Sequence, residues 1–208
     1  MNNAGRACSL LILLSSFFTF NSVSLTSLFY RPLTTTSFQL RRGREADLPQ
    51  VLALIQELAT YERAPDAVTN TLEAMRRDGF GPAPVFNFFV LEGVRGTLTG
   101  LALYYTAYST WKGRMLYLED LVVTEAARRG GFGRLLFEAV VAEARATGAQ
   151  RLKWQVLDWN EPAITFYQKL GANLESEWLN GNLTAEQLAA FDVSAAAQDA
   201  TGPAAAAF

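Results

Sequence analysis

Histidine is absent from the whole chain. That absence excludes Ser-His-Asp and Cys-His nucleophilic machinery, histidine-held metals, and any transferase whose base is an imidazole. Proton transfer must fall to Asp, Glu, Tyr, Lys, Arg or water. Cysteine is almost absent too. The single one, Cys8, excludes an internal disulfide framework and fits a reducing compartment. Charged residues are sparse, 18% of the chain, and nearly balanced at a net −2, so no global field draws the protein toward nucleic acid or anionic lipid.

What remains is apolar. Half of the 208 residues are hydrophobic, enough for one globular domain with a sizeable core plus tails. From Ala7 to Tyr30 no residue is charged, and "SLLILLSSFFTF" (Ser9–Phe20) behind Arg6 has the look of a signal-peptide core. No clear small-x-small cleavage site follows, and the run is weak for a membrane span, which needs about 20 predominantly apolar residues. A targeting or anchoring segment, a mis-assigned start with disorder, and a docked helix all remain open for residues 1–36. The expected domain is 37–192. Residues 193–208, including "SAAAQDATGPAAAAF", form an Ala-rich tail expected to be disordered.

Within the domain, apolar periodicity predicts a strand at Phe38–Arg42, helices at Ala46–Tyr61 and Thr69–Arg77, and strands at Val85–Glu92, Thr99–Thr106 and Arg114–Thr124. A helix follows over Gly131–Thr147, then a strand at Arg151–Asp158 and a helix at Asn160–Leu170 closed by Gly171. A last strand near Asn173–Leu179 and a helix near Ala185–Phe191 complete the domain. This order indicates a single mixed α/β sheet.

Two stretches carry chemistry. "YLED" (Tyr117–Asp120) puts adjacent carboxylates in mid-strand, where simple alternation sends Glu119 and Asp120 to opposite faces. "RRGGFG" (Arg128–Gly133) sets glycines and arginines at a helix mouth, where backbone N–H groups and the helix dipole favour a phosphate. Its spacing is neither a Rossmann fingerprint nor a Walker loop, and a plain turn with solvated arginines has the same composition.

Further pieces make a resemblance specific. Arg128-x-x-Gly131-x-Gly133 resembles the acetyl-coenzyme A signature of the GCN5-related N-acetyltransferase (GNAT) superfamily. "LIQELATYE" (Leu54–Glu62), "DGFG" (Asp78–Gly81), "YSTWKGR" (Tyr108–Arg114), "YLED" and "VLDWNEPAITFYQKLGA" (Val156–Ala172) resemble its diamine and thialysine acetyltransferase group, in order over about two-thirds of the chain. The resemblance implies a single-domain α/β fold, its mostly antiparallel central sheet flanked by helices. The fourth and fifth strands would be parallel and splayed around acetyl-CoA.

It also implies roles. Tyr167 stands where relatives have the general acid for the departing thiolate, and Glu119 where they have a substrate-contacting base. On residues alone, Tyr167 reads first as a helix-core residue, and an exposed strand position is the alternative for Glu119. The amine resembles lysine, pKa ~10.4, so near neutral pH few molecules carry a free lone pair, and a carboxylate can both attract the cation and take its proton. Main-chain groups of Leu121, Val122 and Val123 would serve the pantetheine arm and the oxyanion. The loop of Arg128, Arg129, Gly130, Gly131, Phe132, Gly133 and Arg134 would hold phosphates. Asn160, Glu161, Pro162 and Ala163 would line a second helix mouth, with Asn160 equally suited to capping. Tyr61, Glu62, Ser109, Thr110, Trp111, Glu119 and Glu177 would form the amine pocket, an aromatic surface beside carboxylates suiting an alkylammonium chain.

Departures narrow the branch. Ser109, followed by Thr110, stands where the polyamine-type pattern is acidic, which places the chain nearer the thialysine branch. Arg129 replaces a common glycine, and Leu170 a basic residue. The expected enzyme is cytoplasmic and homodimeric, uses acetyl-CoA as cosubstrate and no metal, acts on a small amine, and binds neither nucleic acid nor, through the domain itself, membrane. Direct transfer in a ternary complex is expected, because Cys8 lies outside the domain and offers no acyl-carrying thiol. A protein acetyltransferase and a non-catalytic acetyl-CoA sensor remain as alternatives.

Overall fold

The computed structural model describes residues 38–201; the expectations for residues 1–36 lie outside them. Among the described residues five strands form one sheet in the order β1 (Gln39–Arg42), β2 (Asn87–Glu92), β3 (Leu98–Ser109), β4 (Gly113–Val123) and β5 (Leu152–Lys153). All neighbours are antiparallel except β4 and β5, which are parallel. The expected mixed sheet flanked by helices is therefore the observed one.

Alternation along the strands builds two cores. Phe89, Leu91, Ala102, Tyr104, Leu116 and Leu118 pack on one face against α3 (Phe132–Ala146) and α4 (Glu161–Lys169). Phe88, Val90, Leu101, Leu103 and Val122 pack on the other against α1 (Leu48–Tyr61) and α2 (Leu72–Phe80). In α1 the buried Leu48, Val51 and Leu54 recur at helical spacing, and Pro49 suits its first turn. Thr71 caps α2 through its hydroxyl. Beside α1, Arg41 clamps Asp47 with two hydrogen bonds of 2.7 and 2.8 Å, tying β1 to the turn that opens the helix.

Three expectations change. The strand predicted over Arg151–Asp158 shrinks to Leu152–Lys153. Leu152, Trp154 and Val156 still alternate into the α3–α4 core, but the neighbouring edge has already turned away. Asn173–Leu179 forms no strand; it is irregular, and Trp178 and Leu179 are exposed. Inside the Ala-rich tail a short helix, α6 (Ala195–Ala200), follows α5 (Ala185–Ala190), as alanine's helix propensity favours.

One irregularity in β4 matters most. Leu103 pairs with Asp120, but the next residue, Tyr104, pairs with Leu118, leaving Glu119 as the extra residue of a β-bulge. Leu116 and Leu118 face α3 before it, Leu121 and Val123 after it. Glu119 and Asp120 therefore both face α1, together with Val122. The expectation that they point to opposite faces is corrected: the bulge absorbs one step of the alternation.

Candidate active site

The parallel pairing of β4 and β5 covers only Leu116 with Leu152 and Tyr117 with Lys153. Beyond them, among the described residues, no strand pairs with Leu118–Val123 on that side. The side chains of Leu121, Val122 and Val123 are taken up by the two cores. They leave main-chain groups along an open edge, suited to an extended ligand.

The glycine loop closes one end of this edge. Gly131 caps α3 with φ 79°, a left-handed conformation that glycine adopts without strain. Arg129 also has positive φ, 68°. A side chain on Gly130 would collide with the ring of Phe132, which itself packs at a tilt against Phe38, ring centres 4.3 Å apart. A Cβ on Gly133 would lie 3.9 Å from Val123 and 4.0 Å from Phe166, so the first turn of α3 sits directly between the end of β4 and α4. Arg128 donates to the Val123 carbonyl at 3.0 Å and lies over the Tyr61 ring at 5.1 Å. Arg134 turns outward to pair with Glu138 at 2.7 Å, and so does not join Arg128.

The other end is the N-terminus of α4. Asn160 accepts from the Ala163 N–H at 3.3 Å and from the Tyr61 hydroxyl at 3.1 Å. It is thus a helix cap and an anchor for α1 at once. Glu161 and Pro162 are exposed in the first turn. Trp159, before the cap, carries Arg63 over its ring at 4.4 Å. The sequence alone marks neither Trp159 nor Arg63, because an arginine two residues past a helix end gives no signal of stacking.

Tyr167 is 6% exposed and belongs to the α3–α4 core, on the same face as the glycine loop. Trp154, Phe166 and Phe137 surround its ring at 4.8, 5.1 and 5.9 Å. Burial pushes its phenol up to about 12, so it keeps its proton near neutral pH. The tight packing holds the ring in one orientation, as an acid aimed at one leaving group requires.

The carboxylates lie on the opposite face. Glu119 is exposed, Asp120 partly buried, and Glu62 stands at the C-terminal cap of α1. Burial first, then Glu119 and Glu62, push Asp120 up to about 6. Burial also raises Glu62. Tyr105 and Tyr117 stack at 5.2 Å on this face, and Tyr105 is pushed up to about 12 by burial and then by Glu119. The sequence alone gives Asp120, Tyr105 and Tyr117 no role. The available signal was the spacing of apolar residues, which lengthens from two to three between Leu118 and Leu121.

Three expected pocket residues stand apart. Ser109, Thr110 and Trp111 form the tip of the β3–β4 hairpin, and Trp111 is 84% exposed. At ~3.4 Å per residue, Glu119 lies roughly 20 Å along β4 from that tip. Glu177 is exposed on the irregular stretch after α4.

Comparison with known proteins supplies the family. The model of the Acetyltransferase (GNAT) family matches residues 49–172. Thialysine N-epsilon-acetyltransferase of Bos taurus is 40% identical over 140 residues, 64% of this chain and 82% of its own. That of Mus musculus is 38% identical over 162 residues, 73% of this chain and 95% of its own. Spermidine/spermine N(1)-acetyltransferase-like protein 1 of Homo sapiens is 37% identical over 147 residues, 67% of this chain but 21% of that protein. Among solved structures, an aminoglycoside acetyltransferase from an uncultured soil metagenomic sample, in complex with sisomicin, has TM-score 0.60 at 19% identity. It covers 71% of this chain and is itself covered to 95%, a likeness of fold alone. The chain belongs to the acetyltransferase (GNAT) family and is an acetyl-CoA-dependent N-acetyltransferase.

Proposed function

We propose that the enzyme acetylates a primary amine of a small cationic metabolite, thialysine or a lysine-like amine before a polyamine or diamine. The observation that carries this reading is the shared face of Glu119, Asp120 and Glu62 beside the stacked Tyr105 and Tyr117. Carboxylates attract an alkylammonium, and aromatic faces accept its chain. Ser109, without a charge at the hairpin tip, gives a long polyamine no second anchor there.

Acetyl-CoA would lie along the open edge of β4, its phosphates at the glycine loop and its thioester between the two faces. The amine attacks directly in a ternary complex. Tyr167, still protonated, gives its proton to the departing thiolate. The carboxylate pair of β4 attracts the ammonium and relieves it of a proton. The protein works in the cytoplasm as a homodimer, whose second subunit could bring a hairpin tip bearing Trp111 to this pocket.

An acetylation screen over a panel of amines, read by free coenzyme A release, tests the reading. Thialysine and lysine-like amines should lead, ahead of spermidine and spermine. Activity on peptides with none on free amines would overturn it.

A further inference from the structure

Acetyl transfer requires a group that takes a proton from the ammonium before attack, a requirement that rests on the functional reading above. The two carboxylates that the bulge puts on one face are not equivalent for this task. Glu119 is the unpaired residue of the bulge, is exposed, and is coupled to Tyr105. Asp120 sits one residue deeper, paired with Leu103, between the exposed pocket and the buried Val122.

We propose that Asp120 is the proton acceptor of the reaction, and that Glu119 binds the ammonium and tunes its neighbour. A partly buried carboxylate beside two others takes up a proton more readily than an exposed one, because ionising it adds a third negative charge in poor solvent. The charges acting on Asp120 are Glu119 from its own strand and Glu62 from α1, both negative. Tyr105 of β3 and Tyr117 of β4, on the same face, are both raised by burial and then by Glu119, and stay neutral near pH 7; from α1 come also Glu57, which accepts from the Glu125 N–H, and Tyr61, which lies under Arg128. An affinity for protons near pH 6 suits a base that is ionised at neutral pH yet takes a proton when the amine arrives.

The atoms balance. An N–H bond of the ammonium breaks and an O–H bond forms on Asp120, leaving the nitrogen lone pair free. That pair forms the C–N bond at the thioester carbonyl. The tetrahedral adduct then breaks its C–S bond, and the electron pair leaves on sulfur. Sulfur takes the Tyr167 proton, and the second nitrogen proton restores the phenol through water. Asp120 releases its proton to solvent, so one proton is liberated per acetyl transferred.

The experiment is the pH dependence of kcat/KM for full-length protein and three variants, with the best amine of the panel as acceptor. Wild type should lose activity below about pH 6 as Asp120 binds a proton. Asp120→Asn should remove that limb, lower kcat roughly 10²-fold or more at neutral pH, and regain activity as pH approaches the amine's own pKa. Glu119→Gln and Glu62→Gln should each move the limb to lower pH, since each removes a negative neighbour. A purely structural Asp120 would not produce those shifts. The proposal is overturned if Asp120→Asn keeps the limb, or raises KM with kcat intact. Should Asp120→Asn not fold, an unmoved limb in both Gln variants overturns it, and a shifted limb supports it. Wild type that binds acetyl-CoA but acetylates no amine would instead defeat the functional reading beneath the proposal.

Discussion

The hydroxyl of Tyr61 donates to the carboxamide oxygen of Asn160 across 3.1 Å. Tyr61 ends a helix on one face of the sheet, and Asn160 begins a helix on the other. A side chain can make that bond only where the sheet is open, and here β4 and β5 have parted.

Tyr61→Phe should cost about 1 kcal/mol of stability, the net worth of one hydrogen bond. That corresponds to a fall in Tm of roughly 2–4 °C for a domain of this size. Asn160 keeps its bond to Ala163, so α4 stays capped. Thermal unfolding followed by circular dichroism measures it.

Tyr167→Phe keeps the ring that fills the α3–α4 core and removes only the hydroxyl that carries the proton. Turnover should fall about 10²–10⁴-fold with acetyl-CoA affinity nearly unchanged. Steady-state kinetics and calorimetric titration separate the two. Unchanged turnover would remove Tyr167 from the acid role.

Gly131→Ala separates backbone strain from ligand contact. A Cβ there meets nothing within 4 Å, so its cost to the protein is the left-handed φ alone, about 1–2 kcal/mol. Gly148→Ala, at φ 69° with equally empty surroundings, should cost the same. Only the Gly131 change should weaken acetyl-CoA binding, about tenfold or more if phosphate approaches the backbone there.

Asp120 should destabilise the native state at neutral pH. Its folded pKa of about 6 exceeds the 3.8 of the free side chain, so between these values the native state binds more protons than the unfolded state. Stability then falls as pH rises from 4 to 6, and the deficit persists above. At 1.36 kcal/mol per unit the ceiling is about 3 kcal/mol, and Asp120→Asn should recover roughly 1–3 kcal/mol at pH 7.5 and almost none at pH 4. Urea unfolding at both pH values tests this.

Asp47 has the opposite slope. Hydrogen bonds from Arg41, then from the Arg44 N–H, hold its carboxyl below the usual range. The stability it confers is present above the unfolded pKa and is lost as pH falls through the folded one. Arg41→Ala leaves that charge buried without its partner and should cost about 3–5 kcal/mol at neutral pH. Denaturant midpoints of the two proteins give the difference.

The long periodic elements were legible in sequence because burial imprints its period on them. Leu136, Phe137, Val140 and Ala144 mark α3, and a short continuous buried run, Gly100–Tyr104, marks β3. The glycine loop was legible because Gly131 needs a φ that other residues resist. Pairing leaves a weaker imprint. Leu152, Trp154 and Val156 alternate whether or not a neighbouring strand is there, so the early end of β5 was hidden. The bulge was hidden likewise, because one inserted residue looks like noise in a short pattern; with it went the shared face of Glu119 and Asp120. Motif alone puts Trp111 with the carboxylates, yet a hairpin carries its tip away from them.

The early parting of β4 and β5 leaves a sheet missing part of a strand. Among the described residues no strand pairs with Leu118–Val122 on that side, and an extended pantetheine could take the place of one. Cosubstrate binding and sheet completion would then be one event. Saturating acetyl-CoA at 100 times its Kd would raise unfolding free energy by about 2.7 kcal/mol, with the added rigidity concentrated along the seam between α1 and α4.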